Sequence, residues 1–205
     1  PEQALEWSDS GVEGAHRFLR RLWDFYYTHR GKLCSYNTKS GLILESQNSL
    51  IRIHQILISV ERDVRRHQFN TYIASIMKIF NIIDKLKDIC MDSTVVHDGW
   101  CIVLRLLHPI TPHFSEYIWQ QMAEPRPLKA MGWPSADPRI LDLIKDVHYV
   151  VQVQGKKRGL VSVAIDSDKD TVVAKIYQDK GLSKWLPQNP QRVIFVPNKL
   201  INIIG

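Results

Sequence analysis

The 205-residue sequence has few cysteines and no close pair of them. Cys34, Cys90 and Cys101 are too scattered for a disulfide framework, and without a CxxC pair we expect no structural zinc site. Free thiols in segments with a helical pattern indicate a reducing compartment. We therefore expect the cytoplasm, with the mitochondrial matrix as the alternative.

Other absences limit the function further. No run of about 18 apolar residues occurs, so we expect no membrane span. The phosphate-binding patterns GxxxxGK[ST] and GxGxxG are both missing, so we expect no catalytic site. His113 and Glu116 have a metal-ligand spacing but no evident third ligand, and we assign them a structural role. The sequence begins with Pro1 and no leader, which we interpret as a piece of a longer chain.

Hydrophobic residues make up 44% of the sequence, and up to residue 123 they recur every three to four positions. This period predicts five helices, beginning near residues 10, 49, 70, 94 and 112. The first has a capping box at Ser10 and Glu13, is expected to end at Gly31, and is expected to bury the stripe Val12, Ala15, Leu19, Leu22 and Tyr26. Thr111 is the expected N-cap of the last helix. The prediction for residues 1–123 is an antiparallel helical bundle.

The pattern changes after residue 123. Residues 124–145 are rich in proline, which predicts a linker or a chain running across a surface. In residues 146–205 the hydrophobic period becomes two, with a turn over residues 155–159, a helix over 168–178 and strands over 192–196 and 200–204. We predict a mainly α chain that ends in a small α+β domain of order β-β-α-β-β.

The net charge of +6 is concentrated toward the end of the chain. Residues 146–205 hold nine basic and five acidic side chains, and a basic surplus in a small module suits a polyanion. Each basic cluster alone is more typical of a solvated surface, but together they favour nucleic acid. The candidate contacts are Lys156, Lys157, Arg158, Asn198 and Lys199, with the helical Arg17, Arg20, Arg21, Arg62, Arg65 and Arg66 as secondary candidates.

Three parts of the sequence resemble the leucyl-tRNA synthetase family. Residues 5–23 resemble the junction where its catalytic domain meets the helical anticodon-binding domain. Residues 107–119 contain the pattern PxxPHxxExxW, which several class I synthetases share. Residues 151–159 (VQVQGKKRG) and 196–204 (VPNKLINII) resemble the C-terminal domain of the bacterial and organellar leucine enzymes.

The resemblance implies the tRNA-binding portion of such an enzyme, which positions leucine tRNA for ATP-dependent leucine attachment. The bundle would lie against the inner side of the L-shaped tRNA and the terminal domain at its elbow. The portion itself would need no cofactor and is expected to be a monomer. ATP and magnesium would belong to the parent enzyme, whose catalytic and editing domains would precede residue 1 and be its other partners.

Two alternatives remain open. The chain could be a protein-interaction module that docks on the absent catalytic domain, with its cations paired to acidic groups there. It could also be the same region of a synthetase for valine or isoleucine, since the residue 107–119 pattern is shared. Residues 151–159 and 196–204 argue against that second alternative.

Overall fold

The computed structural model describes residues 8–34, 44–90, 94–122, 124, 126–144, 146–187 and 190–205. Two compact units divide between Leu141 and Asp142, which we call the helical unit and the terminal unit. The predicted fold class, a helical bundle followed by a small α+β region, is confirmed. The lead-in at residues 1–7 and most of the loop predicted between the first two helices lie outside the described residues.

The helical unit is formed by five main helices. They are α1 (Asp9–Cys34), α2 (Leu44–Arg65), α3 (Phe69–Cys90), α4 (Thr94–Leu107) and α5 (Pro112–Gln121). Their apolar faces meet in one core, in which Trp100 of α4 is fully buried. Tyr26 stacks on Trp100 with ring centroids 6.3 Å apart, and Phe25 packs at 5.2 Å. This aromatic centre joins the first helix to the fourth.

The first helix differs from its prediction at both ends and in its buried face. Ser8, not Ser10, caps the helix, because the Gly11 N–H donates to Ser8 Oγ over 3.3 Å. The helix continues through Gly31 to Cys34, since the next turn buries Leu33 completely. Its buried face is set by contacts with α3 and α4. Leu22 and Tyr26 of the predicted stripe are buried, whereas Val12 in the first turns is 48% exposed. The buried side chains are Phe18, Leu22, Phe25, Tyr26 and Leu33.

The start of α5 also differs in detail. Pro112 occupies the first turn as expected, but the Thr111 side chain forms no capping hydrogen bond. Its hydroxyl instead donates to the Leu107 carbonyl over 3.3 Å, and the Thr111 N–H donates to the same oxygen over 2.8 Å. Thr111 is thus the N-cap residue of α5 by position, and its carbonyl accepts the Ser115 N–H over 3.0 Å, while its side chain closes the end of α4.

The proline-rich stretch runs across the helical unit, with a 3₁₀ turn at Leu128–Ala130 and a short helix α6 at Pro138–Leu141. Trp119 Nε1 donates to the Arg126 carbonyl over 2.7 Å, and Arg105 donates to the Gly132 carbonyl. The Asp137 N–H donates over 2.9 Å to Nδ1 of His54, whose pKa is lowered by burial. The compact units thus divide at residue 141, later than the predicted boundary at 123 and just before the one at 146.

The terminal unit is a four-stranded sheet with one helix on it. The elements are β1 (Asp146–Val153), β2 (Lys156–Ala164), α7 (Lys169–Gln178), β3 (Arg192–Val196) and β4 (Leu200–Ile204). The strand order is β2-β1-β4-β3, with β1 and β4 parallel and the other pairs antiparallel. Asp168 caps α7 by accepting the Thr171 N–H over 3.2 Å. Val172 and Ile176 pack on the face that carries Tyr149, Val151 and Ile201.

Gly99 lets α4 approach α2 and α3 closely. A Cβ at this position would lie 2.6 Å from Cγ2 of Ile83 and 3.3 Å from Cδ1 of Ile53, both fully buried. We expect Gly99→Ala to destabilise the helical unit by about 1–2 kcal/mol, because overpacking outweighs the gain of roughly 1 kcal/mol in helix propensity. Urea unfolding followed by circular dichroism measures the change.

Gly31→Ala is the matched control. Gly31 is also helical, but a Cβ there would meet nothing within 4 Å, so we expect this variant to be at least as stable as the parent. Equal stability of Gly99→Ala and Gly31→Ala would show that α4 does not require the small residue.

Candidate nucleic-acid interface

The β1–β2 hairpin turns on two residues rather than the predicted five. Gln154 and Gly155 both have positive φ, 52° and 77°, as the mirror-image hairpin turns require. The Gly155 N–H donates to Asn202 Oδ1 over 3.1 Å, which braces the turn on β4. Lys156 and Lys157 therefore lie on β2 beside the turn, held by strand pairing.

A β-bulge separates the cations that follow the turn. Lys156 pairs with Val153 and Lys157 with Gln152, but Gly159 pairs with Val151, so Arg158 is the extra residue of the bulge. Adjacent strand residues point to opposite faces of a sheet. Lys156 and Lys157 consequently leave the hairpin on opposite sides, and both are exposed.

Arg158 packs against a tryptophan that the sequence analysis did not select. Its guanidinium carbon lies 4.0 Å from the centroid of the Trp185 ring, and Lys184 Nζ lies 5.5 Å from the same ring. Trp185 remains 45% exposed. A cation held over an aromatic face is oriented without being neutralised. We call Lys156, Lys157, Arg158, Lys184 and Trp185 the tip cluster.

The structure does not bring Asn198 and Lys199 to the tip cluster. Val150 pairs with Leu200 and Val153 with both Ile203 and Lys156, so Lys199 lies about four residues, or roughly 13 Å, from Lys156 along the strands. Arg192 is at the tip end instead, because it pairs with Ile204 at the end of β4. The register, which the sequence does not display, decides which cations are neighbours.

Asn198 is engaged in the fold. Its side chain donates from Nδ2 to Asp166 Oδ1 over 2.8 Å and accepts the Asp166 N–H over 3.2 Å. Its own N–H donates to the Tyr149 hydroxyl over 2.7 Å, and its φ is 55°. Asn198 thus joins the β3–β4 turn to the loop after β2, whereas Lys199 is exposed.

The face of the sheet opposite α7 has apolar and polar side chains in alternating rows. Leu160, Ile194 and Val196 on this face are 54%, 39% and 37% exposed. The strand register also places four side chains next to one another in a row across this face, namely Lys157, Gln152, Asn202 and Ile194. This face is flat, partly apolar and basic at its tip end.

The arginines of the helical unit form ion pairs at their exposed surfaces. Arg17 lies 3.8 Å from Glu13, Arg20 lies 3.9 Å from Asp24, and Arg65 lies 2.7 Å from Glu61. Arg21 reaches Asn81 and Asp84 on α3 over 3.2 and 3.4 Å, and Arg62 lies 3.9 Å from Asp63. Exposed pairs contribute only about 0–1 kcal/mol, so a phosphate could replace these carboxylates.

The cations of the tip cluster differ from these arginines in their lack of carboxylate partners among the described residues. Among the described residues, no carboxylate lies within ion-pair distance of Lys156, Lys157, Arg158 or Lys184. Further cations that the sequence analysis did not select, Arg52, Lys78 and Lys85, line a groove between α2 and α3. The tip cluster, with Arg192 at the same end of the sheet, is therefore a group of cations that no described carboxylate neutralises. No described helix combines the length and the apolar character that crossing a membrane requires.

The chain is similar to known tRNA ligases over nearly its whole length. Residues 47–174 match the family described as the anticodon-binding domain of tRNA ligase. The chain is 34% identical, over its full length, to a leucine–tRNA ligase of Herminiimonas arsenicoxydans, and 37% identical to that of Coxiella burnetii strain RSA 493. It covers 24% and 26% of those proteins, so it spans about a quarter of the relatives that it matches.

A solved structure has the same fold. The LeuRS of Agrobacterium radiobacter K84, crystallised in a ternary complex with tRNA and LeuAMS, superposes with a TM-score of 0.79 at 21% identity. The match covers 98% of this chain and 26% of that one. Both units therefore have counterparts in a synthetase structure.

Asn198→Ala tests the structural role of this residue. We expect it to destabilise the β3–β4 turn by about 1–2 kcal/mol, since it loses the Asp166 hydrogen bonds and places a Cβ at positive φ without a compensating side chain. Asn198→Gly should lose less, because glycine accepts this φ, and Lys199→Ala should change stability by under about 0.5 kcal/mol. Native-state hydrogen exchange of the β4 amides measures these differences. Equal protection in all three variants would contradict the assignment.

Proposed function

The chain belongs to the anticodon-binding domain family of tRNA ligases, and from this membership we propose that it is the tRNA-holding part of a leucine–tRNA ligase. The observation that carries the proposal is the tip cluster, an unneutralised group of cations beside an exposed tryptophan. The similarity to leucine–tRNA ligases over the whole chain supports the choice of amino acid. We propose leucine tRNA as the partner.

The tip cluster suits the outer surface of a folded RNA. Lys156 and Lys157 leave opposite sides of the hairpin, so they can reach phosphates of two neighbouring backbone segments. Arg158 and Trp185 between them offer a planar cation and a ring face for a nucleotide. Such contacts fix the orientation of the RNA without reading its sequence. We place the tRNA elbow at this end of the terminal unit.

The helical unit is assigned a weaker hold on the inner side of the tRNA. Each of its predicted arginines except Arg66 has a nearby carboxylate or amide, and binding a phosphate requires releasing that partner. Asn198 is not retained as an RNA contact, because its polar atoms are used within the fold. Lys199 remains a candidate at the other end of the sheet.

The chemistry of ligation is assigned to the rest of the longer enzyme. The described residues do not fit an ATP site: Gly155 is the one described glycine with positive φ, and its N–H is bonded to Asn202. In that enzyme ATP, magnesium and the editing reaction belong outside these 205 residues. This part contributes by holding the tRNA in position, which lowers the entropic cost of the reaction.

Charge reversal at the tip tests the proposal. We expect the Lys156→Glu, Lys157→Glu variant of the 205-residue chain to bind leucine tRNA at least tenfold more weakly in 0.1 M salt. The slope of log K against log salt should fall by about one per lost phosphate contact, hence by about two. Fluorescence anisotropy with labelled tRNA over a salt series measures both quantities.

The Lys169→Glu, Lys175→Glu variant is the matched control, because it reverses two exposed cations of α7 outside the tip cluster and so changes the net charge by the same amount. It should leave affinity and salt slope nearly unchanged. If both variants weaken binding equally, net charge rather than the tip decides affinity, and the assignment of the tip is wrong. If the parent chain retains no tRNA at all at moderate salt, the protein-docking alternative is favoured.

A further inference from the structure

A cluster of three different metal-binding side chains lies in the helical unit, away from the tip cluster. His97 and Cys101 are four residues apart on α4, so they lie on one side of this helix. Glu124, just after α5, brings its carboxylate to them. His97 Nε2 lies 2.9 Å from Glu124 Oε1 and 3.8 Å from Cys101 Sγ, and the three ligand atoms are all within 4.8 Å of one another.

We propose that His97, Cys101 and Glu124 hold a divalent metal ion of the zinc class, with water as its fourth ligand. A tetrahedral zinc ion, with bonds of about 2.0–2.3 Å, keeps its ligand atoms roughly 3.3–3.6 Å apart. The two measured distances differ from this range by a few tenths of an ångström. Cys101 Sγ is almost as close to Nδ1 of His97, at 4.0 Å, so the Cys101 side chain has to rotate toward Nε2 to reach the ion.

The chemistry of the donors selects the type of ion. Imidazole and thiolate ligands favour zinc and its neighbours over magnesium and calcium, which prefer oxygen. The neutral imidazole, a thiolate and a carboxylate together carry two negative charges, which balance a divalent ion. His97 is 5% exposed and the Glu124 side chain 20%, so the charges of an occupied site would be shielded from bulk water.

A second carboxylate orients the histidine. Asp98 Oδ1 lies 3.2 Å from His97 Nδ1, which is the ring nitrogen that does not face Glu124. Metal-binding histidines typically donate their other N–H to such a carboxylate, which fixes the tautomer and strengthens the ligand. With Nδ1 protonated, Nε2 presents its lone pair toward Glu124, whereas Cys101 Sγ lies 3.8 Å from Nε2 and 4.0 Å from Nδ1.

Binding replaces contacts that exist in the metal-free protein. The proton in the hydrogen bond between His97 Nε2 and Glu124 leaves to solvent, and Nδ1 keeps the proton that it donates to Asp98. Nε2 and the Glu124 carboxylate then bond to the ion, and Cys101 bonds as thiolate after its own proton leaves to solvent. Burial, and after it the carboxylates of Glu124 and Asp98, raises the pKa of the Cys101 thiol, so the metal-free thiol keeps its proton at neutral pH. The ion would fasten the chain after α5 to the buried helix α4, and water would complete its coordination.

The competing interpretation is an ordinary hydrogen-bonded pair of His97 and Glu124 without any ion. Cys101 distinguishes the two interpretations, because its thiol contributes nothing to a His97–Glu124 pair but is a required ligand of the metal. Titration of the purified 205-residue chain with Co²⁺, a spectroscopic substitute for zinc, is therefore the decisive experiment. We expect one equivalent to give the intense visible bands of tetrahedral cobalt and a thiolate-to-cobalt charge-transfer band, which one equivalent of zinc abolishes.

Matched variants identify the ligands. Cys101→Ser should remove the charge-transfer band, Glu124→Gln should weaken cobalt binding at least tenfold, and Asp98→Asn should weaken it about 10–100-fold. Cys34→Ser removes an exposed thiol at the end of α1, whose pKa is raised by burial and by the nearby Glu124 carboxylate. Because this thiol is not one of the three proposed ligands, the variant should leave the spectrum unchanged. Zinc should also raise the unfolding midpoint of the parent chain but not that of Cys101→Ser.

Three results would overturn the proposal. They are a folded parent chain that gives no cobalt–thiolate band, a band that survives Cys101→Ser, and a band that depends on Cys34 but not on Cys101. Helical circular dichroism checks the folding of each variant. Glu124→Gln, on the partly exposed segment after α5, provides a test that does not disturb the buried helix. None of these readouts involves tRNA, so failure here leaves the proposed function untouched.

Discussion

The parallel pairing of β1 with β4 is the constraint on which the terminal unit depends. Parallel neighbours cannot be joined by a tight turn, so the chain crosses over one face of the sheet through α7 and returns by β3. One face is thereby covered and the other left open. The same pairing places the hairpin turn and Arg192 at one end of the sheet and the turn at Asn198 at the other. Every candidate RNA contact of this unit takes its position from that register.

The packing of the helical unit depends on α4, which is buried on nearly all sides. Gly99 allows α4 to approach α2 and α3 closely. Trp100 packs in the aromatic centre that joins α4 to α1. Two of the polar side chains of α4, His97 and Cys101, therefore lie where water has little access and where polar groups need partners. Glu124 supplies one to His97.

Local rules accounted for much of the fold. The five helices and the β-β-α-β-β order follow from hydrophobic period, and Pro112 and Asp168 mark helix starts by their own chemistry. Prediction was wrong where a partner helix decides the outcome. The buried face of α1 is the one with Phe18 and Phe25 rather than Val12, because both aromatics pack on Phe80. Gly31 did not end α1, because the following turn is stabilised by the burial of Leu33.

The sequence by itself determined the family, the order of elements and the cations beside the hairpin turn, because periodicity, turn residues and charge are local properties that each segment carries. Only the tertiary structure decided which of these groups are neighbours. It separated Lys199 from Lys156, set Trp185 under Arg158, and brought Glu124 to His97 and Cys101. These contacts join residues far apart in the chain, and strand register and helix packing, which arise only when the whole core forms, are what bring such residues together.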